Sequence, residues 1–394
     1  MNVENKHNCT GCGACFNSCP TKAIIMSSND NGFYTPHIDS DKCVNCGLCE
    51  KVCPLDKYKS QNIEQPEVFA FQNCDKETLY KCASGGAFAS LAKLVIEHNG
   101  TVYGVVYDDD MKVCHAKAES IEDLEKMYSS KYVQSDTRDT FIQTKLDLDN
   151  GKTVLFSGTP CQIAGLKSFL RKDYENLLTV DLVCHGVPSP KVFEMYKREF
   201  MNKRPKDEWL LNIDFRSKVE GWSPSLVTTT TTTTTTTTHA AKDDFMQAFL
   251  SNLSINDSCL NCQFNKLPRV ADLSLGDFWG VEKFDQSMND NKGLSIILIN
   301  SEKGQSLFNQ IKEQGIYKEI PLNFVIRNNP NISASSKPHA KREDFFKDIN
   351  NGISLKVCVK KYCKTPIHIL IYRLLPLFAK DFIKYKILKM EKEC

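Results

Sequence analysis

Two short stretches, CTGCGACFNSCP at residues 9–20 and CVNCGLCEKVCP at residues 43–54, repeat one cysteine pattern. In each stretch three cysteines are separated by two residues, a fourth follows after three more, and proline comes next. Gly11, Gly13 and Gly47 stand between the cysteines, where a backbone packed against a bound group has little room for side chains. The doubled pattern therefore predicts two binding loops of related shape.

This spacing is the one by which bacterial ferredoxins bind two [4Fe–4S] clusters, and each cluster takes its fourth ligand from the other loop. Structural zinc sites are the alternative, because thiolates also bind zinc. Zinc sites use pairs of C-x-x-C, however, and not four cysteines and a proline repeated twice. We therefore expect two iron–sulfur clusters. The first has Cys9, Cys12, Cys15 and Cys53 as ligands, and the second has Cys43, Cys46, Cys49 and Cys19.

The composition limits the class of protein. Eighteen cysteines among 394 residues would suggest disulfides in a secreted protein, but the polar start MNVENKHNC holds no apolar signal segment. Thiolate-rich motifs behind such a start favour the reducing cytoplasm. The formal net charge of +2 gives no electrostatic case for nucleic acid.

The chain divides into regions of different pattern. Residues 1–56 are expected to form an α+β ferredoxin-like module, and the polar residues 57–66 a linker. Strands then alternate with helices, which predicts an α/β domain with a mixed, mostly parallel sheet. Strands are predicted at 68–71, 101–107, 153–156, 178–183 and 294–299, and helices at 87–98, 160–170, 190–200 and 303–314.

Residues 228–238 are an unbroken run of threonine. Threonine favours extended structure, but identical residues do not specify the register of a strand. The run predicts a solvent-facing hairpin edge or a loop of varying length, without a catalytic role.

The tail at residues 346–394 is lysine-rich and has apolar residues at helical spacing. Arg373 and Pro376 interrupt the apolar stretch, so it is a poor membrane span. A docking pair of helices is one interpretation. A basic helix that makes peripheral contact with a membrane surface is the other.

A glycine turn, Ser84-Gly85-Gly86, stands just before a predicted helix. Free backbone N–H groups and the positive end of a helix dipole favour a phosphate at such a turn. Glycine turns also start helices without binding anything, and the turn alone leaves both interpretations open.

Four cysteines of the α/β part follow strands or form a C-x-x-C pair. Cys161 and Cys184 come after predicted strands, where ligands of open α/β sheets bind, and Cys259 and Cys262 form the pair. Together they are a workable ligand set for a third [4Fe–4S] cluster, and scattered buried thiols are the alternative. His185 either takes part in acid–base chemistry or donates a supporting hydrogen bond beside Cys184.

Five motifs in this part occur in an order that resembles the coenzyme F420 hydrogenase/dehydrogenase beta-subunit family. The likeness runs from about residue 68 to beyond residue 340. The threonine run inside that span and the basic tail after it are not part of the pattern that the family shares. The motifs are SGGAF (84–88), SSKYVQSD (129–136), FSGTPCQIAGL (156–166), DLVCHGVPSP (181–190) and CLNCQFNKLPRVADLSLGDFWG (259–280).

The resemblance implies an FAD site in the α/β domain and a cluster in its core. It divides the domain into an N-terminal family region at 67–150 and a C-terminal one at 151–345. Members carry a core cluster, which favours Cys161, Cys184, Cys259 and Cys262 as its ligands. The implied FAD contacts are Ser84, Gly85, Gly86, Tyr132, Gln134, Ser135 and Thr159.

The function implied by the resemblance is that of an iron–sulfur flavoprotein oxidoreductase. Electrons would pass between a low-potential donor or redox partner protein, the clusters, FAD and a small organic substrate, either a deazaflavin coenzyme or another conjugated compound. An electron-transfer subunit of a larger dehydrogenase or hydrogenase complex, with no substrate of its own, is the alternative. A bacterial member serving a biosynthetic pathway, such as modification of a surface sugar, is a third.

Overall fold

The structure is a computed structural model, and it describes residues 3–6, 8–55 and 58–363. The N-terminal cysteine-rich part folds as a small module with an antiparallel hairpin and two short helices. Both helices begin after a glycine in the left-handed conformation, Gly13 with φ 80° and Gly47 with φ 68°. The elements of the module are α1 (Ala14–Ser18), β1 (Ile24–Ser28), β2 (Tyr34–Ile38) and α2 (Leu48–Lys51).

The remaining described strands form two sheets. The larger has eight strands in the order β13-β3-β12-β11-β7-β6-β4-β5, and the smaller has three in the order β10-β9-β8. Along the chain the strands are β3 (Glu67–Asn73), β4 (Thr101–Tyr107), β5 (Val113–Ala118), β6 (Val154–Gly158), β7 (Leu177–Leu182), β8 (Leu210–Ser217), β9 (Leu226–Thr231), β10 (Thr235–His239), β11 (Leu273–Asp277), β12 (Ser295–Ile299) and β13 (Gly315–Glu319).

The larger sheet is mixed, as predicted. Strands β4, β6, β7 and β11 are parallel neighbours. Strand β3 runs in the same direction, because it pairs antiparallel with β12 and β12 pairs antiparallel with β11. Strands β5 and β13 run opposite at the two edges. Five of the eight strands therefore share one direction, which confirms a mixed, mostly parallel sheet.

Helices pack on this sheet and bury its apolar strands. In α4, Ala87, Leu91 and Val95 recur every four residues on one buried face. The helices after the module are α3 (Lys76–Lys81), α4 (Ala87–Glu97), α5 (Ile121–Glu125), α6 (Thr140–Asp149), α7 (Pro160–Leu170), α8 (Pro190–Met201), α9 (Asp244–Leu250), α10 (Asp257–Leu260), α11 (Val281–Phe284), α12 (Glu302–Ile311), α13 (Leu322–Asn328), α14 (Arg342–Asn350) and α15 (Leu355–Tyr362).

The threonine run forms the hairpin of the smaller sheet, as one of its two interpretations predicted. Its second strand, β10, is a mostly exposed edge, but its first strand, β9, is the central strand of the sheet. Thr229 and Thr231 are therefore 3% and 4% exposed. The expectation that the whole run faces solvent is wrong for β9, which pairs with β8 and β10 on both edges and whose Thr231 hydroxyl donates to the buried Glu208 carboxylate.

The predicted linker is held against the core. The Ser60 hydroxyl donates to the carbonyl of Arg269 at 2.6 Å, and the Asn62 amide donates to the carbonyls of Arg269 and Ala271 at 2.9 and 2.8 Å. Of the predicted tail, α14 and α15 pack on the domain, while residues 364–394 lie outside the described residues, and with them both interpretations of the basic tail. No helix within the described ranges combines the length and apolar character needed to cross a membrane.

Candidate functional site

The first predicted cysteine group, Cys9, Cys12, Cys15 and Cys53, is brought together around one small pocket of the N-terminal module. Three of its members come from the first loop and Cys53 from the end of the second. The pKa of the Cys15 thiol is raised to about 12, mainly by desolvation and in smaller part by the neighbouring Cys9 and Cys53. Four thiols that face one pocket and repel one another as thiolates fit an iron–sulfur cluster, whose irons would compensate that charge.

The second predicted group, Cys43, Cys46, Cys49 and Cys19, is closer to solvent. The Cys46 thiol is exposed, and the other three are partly buried. Desolvation tends to raise the pKa of Cys19, but hydrogen bonds from Thr21 and Ala23 lower it, and the Ala23 N–H lies 3.2 Å from its sulfur. Donors aimed at sulfur stabilise a thiolate, the form that binds iron. Cys49 also raises the pKa of Cys15, so the two groups are neighbours.

The third group, Cys161, Cys184, Cys259 and Cys262, also converges. Cys161 lies in the first turn of α7, Cys184 follows β7, and Cys259 lies in α10. Desolvation raises the pKa of Cys184 well above its ordinary value, and Cys259, Cys161 and Cys262 each raise it further. Desolvation likewise raises the pKa of Cys161 and Cys259 to about 12. Mutually interacting, partly buried thiols from three segments are the donor set that a four-iron cluster needs.

Within the described ranges, no three His, Cys, Asp or Glu side chains converge closely enough to hold a single metal ion.

The module and the α/β domain meet where the first and third groups approach each other. Desolvation is the main cause of the raised pKa of Cys12, and Cys161 adds to it from across the interface. Cys12 packs against Gly165 of α7, where a β-carbon would lie only 2.9 Å from the Cys12 sulfur. The Thr10 side chain lowers the pKa of Cys161 from the module's side of this interface. The three groups therefore lie in series, from the exposed Cys46 to the core.

A large cleft, of about 570 Å³, opens beside the third group. Gly158, Leu182 and Asp277, at the carboxyl ends of β6, β7 and β11, line it, which is where open α/β sheets bind ligands. Cys184 and His185 line it as well. Of the residues predicted to contact FAD, those that line the cleft are Ser84, Gly86, Tyr132, Ser135 and Thr159.

The other two predicted contacts lie elsewhere. The Gly85 N–H donates to the Ser295 hydroxyl at 2.9 Å behind the glycine turn. The Gln134 amide reaches the N-terminal module, accepting from the Tyr34 N–H at 2.8 Å and donating to the Thr10 carbonyl at 3.2 Å. In this arrangement Gln134 joins the module to the domain, and flavin contact by these two residues stays a prediction.

A buried hydrogen-bond chain runs from the third cysteine group along the cleft. The Thr159 hydroxyl lies 3.1 Å from the Cys161 sulfur and 3.0 Å from Gln162 Oε1. The Gln162 amide donates to the Ser135 hydroxyl at 2.9 Å, and that hydroxyl lies 3.1 Å from His115 Nδ1. Desolvation lowers the pKa of His115 to about 4, so its imidazole is neutral near pH 7. Sequence reasoning missed His115 because its partners are distant along the chain.

His185 is held on both sides of its ring. Its Nε2 lies 2.6 Å from Asn252 Oδ1, its Nδ1 lies 3.3 Å from Asn331 Oδ1, and its ring meets Phe249 edge to face at 5.1 Å. The ring nitrogens have partners, which favours a positioning role beside Cys184. Acid–base chemistry by His185 stays a prediction.

Comparison with known families matches two separate parts of the chain. Residues 151–323 match the model for the C terminus of the coenzyme F420 hydrogenase/dehydrogenase beta subunit. Residues 8–57 match the model of the 4Fe-4S dicluster domain. The first match contains three of the five family motifs, and the second contains both cysteine loops. The exact domain boundaries stay a prediction.

Individual relatives share either the module or most of the chain. An uncharacterised ferredoxin of Methanocaldococcus jannaschii is 35% identical over 54 residues, 14% of this chain and 69% of the relative. The coenzyme F420-dependent sulfite reductase of the same organism is 23% identical over 320 residues, 79% of this chain. This chain spans just under half, 47%, of that reductase.

Among solved structures, a chain of the F420-reducing [NiFe] hydrogenase complex from Methanosarcina barkeri is similar. The TM-score is 0.46 at 16% identity, and the match covers 76% of this chain and 92% of that one.

Proposed function

Because the chain belongs to the coenzyme F420 hydrogenase/dehydrogenase beta-subunit family and begins with a 4Fe-4S dicluster domain, we propose that it is an iron–sulfur flavoprotein oxidoreductase. In this proposal it exchanges electrons between ferredoxin-type clusters, FAD and a two-electron organic acceptor or donor. A deazaflavin coenzyme or another conjugated compound is the proposed substrate class, and the reducing cytoplasm, where cluster thiolates persist, is the proposed location.

One observation carries this proposal: three cysteine groups lie in series and end beside a large cleft. The exposed Cys46 marks the outer end, Cys12 and Cys161 meet across the interface, and Cys184 lines the cleft. In the proposal the two module groups hold [4Fe–4S] clusters, and Cys161, Cys184, Cys259 and Cys262 hold a third. An electron path from the surface to a substrate cleft is what such an order of sites provides.

FAD is the proposed occupant of the cleft. Its size suits a cofactor, since ligand pockets of this class measure about 300–1,000 Å³. The Ser84-Gly85-Gly86 turn precedes α4, a helix of 11 residues whose amino end can bind a phosphate. A flavin supplies the conversion between one-electron and two-electron chemistry that clusters alone do not provide.

Cofactor content tests the proposal. Anaerobically purified protein is expected to be brown and to hold FAD and about twelve irons per chain, as three four-iron clusters require. Cys15→Ala and Cys259→Ala should each lower the iron content by about four. Cys74→Ala, which removes an exposed thiol outside the three groups, is the matched control and should change nothing.

The iron content of each variant tests one part of the proposal. Unchanged iron in Cys259→Ala would remove the third cluster, and unchanged iron in Cys15→Ala would overturn the module assignment. Colourless protein that holds zinc would overturn the redox function altogether.

Acceptor assays separate the two rival functions. The purified chain, reduced by a low-potential donor, is expected to reduce small conjugated acceptors, the deazaflavin coenzyme included. Activity that appears only after a partner subunit is added would instead establish an electron-transfer subunit with no substrate of its own.

A further inference from the structure

Arg216, near the end of β8, is a buried cation at the cleft that sequence reasoning did not identify. Its side chain is 5% exposed, yet it lines the cleft. Its Nη1 donates to the Ser225 hydroxyl, but its Nε and Nη2 have no hydrogen-bond partner. A buried donor without a partner is costly, and the cost is larger for a charged group.

Asp277, at the end of β11, pairs with this charge without satisfying its free donors. Its Oδ2 lies 3.1 Å from Arg216 Nη2, close enough for an ion pair, although the N–H is not directed at it. Guanidinium carries five N–H donors in a fixed fork, a shape that suits a carboxylate or phosphate. The free edge of Arg216 is therefore matched to an anionic ligand.

An aromatic pair holds the guanidinium in place. Trp222 and Trp279 stack with ring centroids 5.3 Å apart and an interplanar angle of 9°. The Arg216 guanidinium lies 5.6 Å from the Trp222 ring and 5.1 Å from the Trp279 ring. Trp279 is 44% exposed and lines the cleft, so part of its indole is accessible to a ligand there.

Two lysines lie near Arg216, and the partly buried Asp214 interacts electrostatically with all three cations. Lys131 lines the cleft, and loss of hydration lowers its pKa to about 7. Lys218 lies two residues after Arg216 and donates to the Ser84 carbonyl at 2.5 Å, and desolvation lowers its pKa to about 8. An anionic ligand would restore the charged forms that desolvation disfavours. Lys218 also connects Arg216 with the glycine turn before α4.

We propose that Arg216 is an anion-binding residue of the cleft, and that it binds a phosphate or carboxylate group of the planar, conjugated ligand that the cleft takes. This inference rests on the proposed function, because it presumes that the cleft is the flavin and substrate site. The anion has two sources of the same chemistry: the diphosphate of FAD, or an acidic group on the organic substrate.

Titration of the flavin-free, full-length chain tests the inference. Inorganic pyrophosphate, FAD and riboflavin, which carries no phosphate, are the probes, and calorimetry measures each dissociation constant. Arg216→Gln is expected to weaken pyrophosphate binding about ten-fold or more, as for a lost charge-assisted hydrogen bond. Arg171→Gln, which changes an exposed arginine remote from the cleft lining, is the matched control and should bind like the wild type.

Binding of FAD and riboflavin shows which molecule carries the anionic group that Arg216 binds. If Arg216→Gln weakens FAD binding and leaves riboflavin binding unchanged, the diphosphate of the cofactor is the anion. If FAD binding is unchanged while pyrophosphate binding weakens and KM for an acidic acceptor rises, the substrate carries it.

A double variant provides the folded reference. Arg216→Gln leaves Asp277 unpaired, so the double variant Arg216→Gln/Asp277→Asn, checked by circular dichroism, provides a neutral folded reference. Unchanged pyrophosphate and FAD binding in both variants would overturn the inference, as would a wild-type chain that binds neither. A wild-type chain that binds pyrophosphate but no FAD would refute the flavin and leave Arg216 as an anion site.

Discussion

His115 shows how burial fixes the protonation state of a single side chain. The residue is 1% exposed, stacks on Phe156, and makes its two ring contacts with Ser135 and the Ser157 carbonyl. Desolvation lowers its pKa from 6.5 to about 4. The folded state thus binds fewer protons than the unfolded state between these pH values, and its stability falls as the pH is lowered through that window.

The expected loss is on the order of 3 kcal/mol between pH 6.5 and pH 4, since each pKa unit corresponds to about 1.4 kcal/mol. Anaerobic denaturant titrations at several pH values would measure it. His115→Gln should flatten this part of the pH profile, while His98→Gln, at an exposed histidine, should leave it as it is. A profile equally steep in His115→Gln would show that another group is responsible.

Thr159 is a positioning residue for the third cysteine group. Its hydroxyl donates to Gln162 Oε1 and lies 3.1 Å from the Cys161 sulfur. An iron-bound Cys161 thiolate carries no proton, so it would accept from that hydroxyl in place of Gln162, and a hydrogen bond to a cluster sulfur raises the reduction potential. Thr159→Val is expected to lower the potential of the proposed core cluster by about 40 mV, since a hydrogen bond contributes about 1 kcal/mol and 59 mV corresponds to about 1.4 kcal/mol for one electron.

A redox titration followed by EPR measures this shift. Thr159→Ser keeps the hydroxyl and should retain the wild-type potential. The same potential in Thr159→Val and Thr159→Ser would rule out the hydrogen bond as its cause.

Helix α7 joins the N-terminal module to the α/β domain through a residue that lacks a side chain. At Gly165 a β-carbon would lie 2.9 Å from the Cys12 sulfur and 3.1 Å from the Cys12 β-carbon. Gly165→Ala should therefore lower Tm, because overpacking costs about 1–3 kcal/mol, more than the roughly 1 kcal/mol that alanine adds to a helix. Ser168→Ala on the same helix is the control. A Tm of Gly165→Ala at or above that of the control would contradict close packing as the reason for the glycine.

Elements with strong local patterns were predictable from the sequence, and those defined by their neighbours were not. The apolar runs of β4 and β12 and the capped helices α7 and α8 lie within a few residues of their predicted bounds. Strand β8 was missed because its sequence, LLNIDFRS, mixes polar and apolar residues and owes its burial to β9.

The same difference between local patterns and distant contacts decides which residues of the site could be predicted. The two cysteine groups of the module were predicted from local spacing, and the third from strand ends, a C-x-x-C pair and the family resemblance. The proposed role of Arg216, by contrast, could not be predicted, because it depends on contacts with Asp277 and Trp279, which are distant in sequence.

The molecule as a whole exposes one end of its series of cysteine groups. Among the twelve predicted ligands, Cys46 is the exposed one, and the others are partly buried. A strong chelator added to the anaerobic protein should therefore remove about four irons quickly and the rest slowly, because the outer site is reached without unfolding. Iron release against time, with Cys46→Ala as a control lacking the fast phase, would measure this. A single release phase in the wild type would contradict the exposed outer site.

The hydrogen bonds of Ser60 and Asn62 to residues 269–271 have a mechanical consequence. A domain that moves between electron donor and acceptor needs a flexible linker. Here the linker at residues 57–66 is bound to the core at its middle. The cysteine-rich module is thus expected to transfer electrons from a fixed position, without a domain movement. The turnover rate would then be insensitive to solvent viscosity.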